Sequence, residues 1–228
     1  MRYLLGLLAL IGACCTFALA APAATRNWPA TVAKTPAGAF VIGNPAAKVK
    51  LVEYLSYTCP HCAAFSKESA AVLRGQMIRS GSTSLEVHNL IRDQLDLGAA
   101  LLARCAGPAG FDKVSTAIFA AQDSWLPAGI DFQQANGQRI AMYPKMARLK
   151  ASADGAGLTA IARANGLSQP QIDGCFADEG NLQPILAMMQ QTPAGITGTP
   201  GFVINGKLQD KIYDWAHLEP ALRAAGAR

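Results

Sequence analysis

Residues 49–62 read Val49-Lys50-Leu51-Val52-Glu53-Tyr54-Leu55-Ser56-Tyr57-Thr58-Cys59-Pro60-His61-Cys62. The stretch 49–57 is rich in β-formers, and Val49, Leu51, Glu53, Leu55 and Tyr57 share one face by period-two alternation. From Pro60 to Arg79 the apolar positions Cys62, Phe65, Ala70, Leu73 and Met77 recur at helical spacing. A strand therefore passes into a helix at Cys59, with Pro60 in the first helical turn, where a missing N–H costs nothing. The Cys59 sulfur then lies at the positive end of a helix dipole, facing unpaired backbone N–H groups. Cysteines so placed have pKa values of about 3.5–7.5 rather than about 8.5. Stabilising the thiolate stabilises the reduced pair and makes its disulfide a stronger oxidant. Cys62, one turn deeper, reads as the buried resolving thiol. His61 between them is a second donor and, when protonated, a second positive charge; a solvated loop histidine is the plainer alternative.

A CxxC pair also occurs in zinc sites and in inert disulfides. Structural zinc takes four ligands, and here the remaining cysteines are isolated and the histidines are only His61, His88 and His217, so no metal site is expected. A four-residue disulfide loop removes little entropy from the unfolded chain, so a purely structural bridge gains little.

Moving outward, the chain has 228 residues, 51% hydrophobic and 15% charged, with net charge +5 and six cysteines. That composition excludes a disordered chain and a small disulfide-stapled scaffold. No dense Lys/Arg run stands in it, so nucleic-acid binding is not expected. Residues 1–20, MRYLLGLLALIGACCTFALA, have a positive start, an apolar run and a small-x-small end at Ala18-Leu19-Ala20, the layout of a secretory signal peptide cleaved near Ala20. An alternative is a lipoprotein box at Ile11-Gly12-Ala13-Cys14, which would leave a lipid-bearing Cys14. Cleavage near Ala20 would leave Cys59, Cys62, Cys105 and Cys175 in an oxidising compartment.

Residues 21–37 are Ala/Pro/Thr-rich and read as an irregular arm anchored by Trp28. Strands are expected at 39–43, 49–57, 84–91 and 202–204, the last followed by the hairpin turn pair Asn205-Gly206. Between them, helical patterns fall at 95–106, 111–122, 133–149, 156–165, 169–178 and 181–191, with a capping box at Ser168/Gln171. A final helix is expected from the N-cap Asp214 to Ala225.

Two further residues belong with the cysteines. Glu53 lies on the apolar face of the strand feeding the motif, where desolvation would raise its pKa. Beneath the Cys62 sulfur it could relay the proton that Cys62 loses on attack; an edge strand with Glu53 in water is the alternative. Gly195-Ile196-Thr197-Gly198-Thr199-Pro200 enters the 202–204 strand, and a cis X-Pro bond would suit such a tight turn, though an ordinary trans loop is the default.

Taken together, residues 49–62 with Gly198-Thr199-Pro200-Gly201-Phe202-Val203-Ile204-Asn205-Gly206 resemble the DsbA-like periplasmic thiol:disulfide oxidoreductases. The resemblance implies an α/β chain with a thioredoxin fold and an inserted α-helical domain: a thioredoxin-like domain of 38–93 and 193–228, and an insert of 94–192. It maps the exposed nucleophile to Cys59, the resolving thiol to Cys62, the upstream acid to Glu53 and the cis-proline to Pro200. Thr199, Pro200, Pro60 and His61 are the implied substrate-binding positions. It also implies no cofactor beyond the cysteine pair, folding exported proteins as substrates, and a membrane or soluble redox partner. Thr199 is a departure, since the family's dedicated oxidases more often carry valine before the proline, and isomerase or reductase activity stays open. So does a non-enzymatic zinc- or peptide-binding module. The helical region also looks enlarged around Pro127 to Lys150. Exported isomerases of this kind dimerise through a substantial N-terminal domain; only about 18 residues separate Ala20 from the first strand, so a monomer is expected. Cys105 and Cys175 are expected to form a structural disulfide, because unpaired thiols are hazardous in an oxidising compartment; two buried free cysteines are the rival.

Overall fold

The structure, a computed structural model, describes residues 26–228; the signal peptide, its cleavage near Ala20 and the Cys14 alternative lie outside those residues. Six strands form one sheet: β1 Val32–Lys34, β2 Phe40–Gly43, β3 Val49–Leu55, β4 Thr83–Asn89, β5 Gly201–Ile204 and β6 Lys207–Leu208. Their order is β1-β2-β4-β3-β5-β6. β3 and β4 are parallel, with Glu53 opposite Val87, and β5 runs antiparallel to β3, with Glu53 opposite Phe202. β3 is therefore central, and the edge-strand alternative for Glu53 does not hold. Asn205 (φ 49°) and Gly206 (φ 79°) turn β5 into β6 in the left-handed conformations that an Asn-Gly hairpin turn supplies.

Helix α1 (Pro60–Ser69) leaves β3 and continues as a wider π-helical segment, Ala70–Ile78, before β4. Its inner face buries Cys62, Phe65, Leu73 and Met77 against the sheet. On the same side, helix α9 (Trp215–Ala225), capped by the Asp214 carboxylate accepting from the His217 N–H, brings Trp215 to within 6.1 Å of the Phe65 ring. Between β4 and β5 lie seven helices: α2 (Gln94–Cys105), α3 (Gly107–Ala120), α4 (Gln122–Ala141), α5 (Lys145–Gly155), α6 (Leu158–Ala164), α7 (Gln169–Ala177) and α8 (Gln183–Gln190). This is the thioredoxin fold carrying a helical insertion. Among the described residues no helix is long and apolar enough to cross a membrane.

Two readings need correction. The irregular arm of 21–37 contains a 3₁₀ turn at Trp28–Ala30 and the edge strand β1. Three residues of extended chain carry too short an alternation to announce a strand; pairing with β2 creates it. The helix expected at 133–149 is two helices. α4 starts eleven residues earlier, at Gln122, accommodating Pro127 on its exposed face, and ends before Tyr143-Pro144. Proline drives the preceding residue out of the helical region, and Pro144 then serves as the N-cap of α5. Gly129 lets α4 lie close to its neighbours, since a Cβ there would stand 2.9 Å from both Leu95 and Ala156 side chains.

The capping box is present at the start of α7, with Ser168 Oγ accepting from the Gln171 N–H. Cys105, at the end of α2, is bridged to Cys175 in α7, with Cα atoms 6.0 Å apart and a sequence separation of 70. Closing a loop of that length removes about 4 kcal/mol of unfolded-state entropy. Replacing both cysteines by alanine should therefore lower stability by about 2–4 kcal/mol in urea unfolding of the oxidised protein, and an unchanged midpoint would show that the bridge does not restrain the unfolded chain.

Candidate active site

The two thiols of the CPHC motif are unbridged and held unequally. Cys59 is the N-cap of α1, with extended backbone (φ −87°, ψ 119°) and Pro60 as the first helical residue. Its pKa falls from 9.0 to about 5, chiefly through a hydrogen bond with the Cys62 thiol; burial opposes this, and the Thr199 side chain and the backbone N–H groups of Cys62 and His61 add to the lowering. The free N–H groups of the first turn thus converge on the sulfur, as a helix N-terminus requires. Cys62 is fully buried. Burial, followed by the Cys59 hydrogen bond and the nearby Glu53 charge, pushes its thiol well above 9.0.

Glu53 is 4% exposed on the central strand. Burial raises its carboxyl from 4.5 to about 7; the positive charge of Arg74 opposes the rise and the Asp112 carboxylate assists it. Arg74, on the π-helical continuation of α1, grips Asp112 of α3 at 2.9 Å. Across the site the Thr199–Pro200 bond is cis, and the Thr199 carbonyl accepts a hydrogen bond from the Cys59 thiol at 3.2 Å. Cys59, Cys62, Glu53, Thr199 and Pro200, spread over some 150 positions of sequence, therefore meet at one end of β3 and β5.

Two placements differ from the sequence reading. Cys59 is only 3% exposed, not an open nucleophile, and its sulfur lies against Thr199. Pro60 and His61 are the exposed members of the motif. The His61 imidazole makes no hydrogen bond to either sulfur among the described residues; the contribution of His61 to the Cys59 thiolate is its backbone N–H. His88 and His217 pair with Glu86 and Asp214 and take no part in the site.

The sequence reading missed how the motif loop is held. Asp96, in the first turn of α2, is fully buried and accepts from Ser56 Oγ (2.6 Å) and from the backbone N–H groups of Tyr57 (2.7 Å) and Arg92 (3.0 Å). Burial raises its carboxyl to about 6 despite those donors. Asp93, the N-cap of α2, accepts from Thr58 Oγ1 at 2.7 Å. Gln122, first residue of α4, donates through its side-chain amide to the carbonyls of Tyr57 (2.7 Å) and Cys59 (3.0 Å). Residues 56–59 are thus each held by the starts of α2 and α4. Asp93-x-x-Asp96 is legible as a helix start, but not as a brace for a loop some 40 residues earlier; nothing local marks Gln122.

The thioredoxin family profile matches residues 35–224, and the chain belongs to that family. A protein-disulfide isomerase from Novosphingobium aromaticivorans has a solved structure that superposes with TM-score 0.74 at 33% identity, covering 81% of this chain and 95% of that one. Wolbachia pipientis alpha-DsbA1 shares the fold, with TM-score 0.63 at 21% identity over 81% of this chain and 89% of its own. A Rickettsia typhi protein, provisionally named a protein-disulfide oxidoreductase, is 29% identical over 190 residues, which is 82% of this chain and 61% of that protein. The chain thus spans about three-fifths of that relative's length.

The 240-nm thiolate absorbance of the reduced protein should rise with a midpoint near pH 5; a midpoint near 9 would mean that neither the Cys62 thiol nor the N–H groups of the helix N-terminus act on the sulfur. With its folded pKa below the unfolded value, Cys59 adds stability to the reduced form as pH rises from about 5 to 9 and loses it as pH falls through 5. Glu53 acts oppositely, weakening the fold as pH rises from 4.5 to about 7. Replacing Asp96 by alanine leaves the Tyr57 and Arg92 N–H groups without their acceptor and should cost about 2–4 kcal/mol in denaturant unfolding; a loss below about 0.5 kcal/mol, typical of an uninvolved surface position, would refute the brace.

Proposed function

We propose that this chain is an exported thiol:disulfide oxidoreductase that donates a Cys59–Cys62 disulfide to the dithiols of folding proteins. The observation that carries the proposal is the unequal placement of the two thiols: Cys59 caps α1, with its pKa lowered to about 5, and Cys62 is fully buried one turn deeper, with its thiol raised well above 9.0. A client thiolate attacks the Cys59 sulfur, a client–Cys59 disulfide forms, and the Cys59–Cys62 bond breaks with its electron pair going to Cys62. Cys62, a strong base in its buried setting, takes a proton, and Glu53 at about 7 can supply it near neutral pH. The client's second thiolate then attacks its own mixed-disulfide sulfur and expels Cys59, whose low pKa makes it a good leaving group. The client is oxidised by two electrons and the cysteine pair is reduced by two. An external disulfide restores the pair by the reverse sequence, with Glu53 receiving the Cys62 proton. No cofactor beyond the pair is required, and the chain acts as a monomer.

Export is supported by the charged, apolar and small-residue order of residues 1–20 and by the Cys105–Cys175 bridge, which suits an oxidising compartment. A second reading, disulfide isomerisation by the same pair, is favoured by the name of the 33% identical Novosphingobium protein and by Thr199.

Equilibration with glutathione should place the pair well above thioredoxin's potential of roughly −270 mV; a value at or below it would sink the oxidase reading. Cys62→Ala should accumulate client disulfides at Cys59, and an inability to trap any client would count against exchange chemistry altogether. Faster reshuffling of a mis-bridged protein than oxidation of a reduced one would select the isomerase.

A further inference from the structure

A cleft of about 390 Å³ opens beside the motif, lined by Pro60 on one wall and by Gln122, Asp123, Leu126, Pro127, Ile130 and Asp131 of α4 on the other. Positions 123, 126, 127, 130 and 131 recur at helical spacing and form one face of α4. Leu126, Pro127 and Ile130 make an apolar strip, with Ile130 43% exposed. Asp123 and Asp131 flank it, both exposed. Neither carboxylate has an ion-pair or hydrogen-bonding side-chain partner among the described residues, in a chain of net charge +5. No lysine or arginine lines the cleft. Asp123 also borders a second cleft that continues past Pro60 along α1, where Lys67 and Glu68 stand together.

The face is continuous with the redox pair, because Pro60 follows Cys59 and Gln122, between the cleft and the motif, holds the Cys59 carbonyl. Two unpaired anions at the ends of an apolar strip complement a segment with an apolar side chain and a neighbouring cation. We propose that this face of α4 receives the segment flanking a client's reacting cysteine and selects segments that pair an apolar residue with lysine or arginine. The proposal rests on thiol exchange with protein clients and names the class of client that this site takes best. An apolar side chain seats on Leu126, Pro127 and Ile130, and the client cation lies against Asp123 or Asp131. The cation and carboxylate stay near solvent, so the contribution is modest and salt-sensitive, about threefold to tenfold in rate.

The test follows reduction of the Cys59–Cys62 disulfide by an excess of either of two synthetic peptides that differ only in carrying Leu-Lys or Leu-Glu beside a single cysteine; one peptide thiol forms the mixed disulfide at Cys59, and a second releases the peptide disulfide and the reduced pair. At low ionic strength the lysine peptide should react about threefold to tenfold faster than the glutamate peptide. Raising the salt to 0.5 M should shrink the ratio, and Asp123→Asn/Asp131→Asn should bring it close to one. Both positions are exposed, and far-UV circular dichroism checks the fold of the variant. Equal rates for the two peptides with the native chain, or a ratio unaltered in the double variant, would overturn the proposal. So would a dimer of this chain that dissociates in the variant, since the face would then be a self-interface. Dithiothreitol separates the two levels: failure to exchange with it removes the oxidoreductase reading itself, whereas exchange without peptide discrimination removes only the docking face.

Discussion

A sulfur held at the open N-terminus of a helix is stabilised as an anion, and one buried a single turn deeper is destabilised as an anion. The fold around the CPHC motif preserves that difference. Strand β3 delivers the chain to Cys59, Pro60 starts α1 without wasting a donor, and the first-turn N–H groups face one sulfur only. Cys62 lies inward, against the sheet and Glu53. Two matched thiols would carry no such bias; here the helix end favours charge on one sulfur and burial opposes it on the other.

The dipole works only if the loop before the helix holds its path, and the inserted helices supply that restraint. Asp93 and Asp96 at the start of α2 and Gln122 at the start of α4 hold residues 56–59 through hydrogen bonds made in buried surroundings, where an unmade bond is expensive. Helix starts carry both kinds of anchor for a reason: their side chains and first turns project beyond the regular helical ladder. The insertion is thus tied to the redox loop as well as shaping the surface beside it. The same α4 that fixes the Cys59 carbonyl through Gln122 presents Asp123, Leu126, Ile130 and Asp131 outward.

Opposite the insertion, the turn before β5 lies against the nucleophile. The Thr199 carbonyl stands 3.2 Å from the Cys59 sulfur, and Cys59 is 3% exposed. Pro60 and His61 are the exposed members of the motif, and the Cys59 sulfur lies behind them against Thr199. Arg74, paired with Asp112, adds a third charge relation beneath the site and keeps the Glu53 carboxyl from rising further.

Local order dominates what was legible in the chain. The strand-to-helix change at Cys59, the Asn205-Gly206 turn, the Ser168 capping box and the Asp214 cap each depend on residues within four positions of one another, so the sequence by itself determined them. The break at Pro144 has an equally local cause, but the helical periodicity on either side concealed it. β1 was hidden because pairing, not propensity, makes it a strand. The central placement of β3, the contact of Thr199 with Cys59, and the Asp96 and Gln122 brackets were decided only by tertiary structure. Those contacts join residues about 40 to 140 positions apart, and their hydrogen bonds form only where packing of the insertion and the sheet has already excluded water.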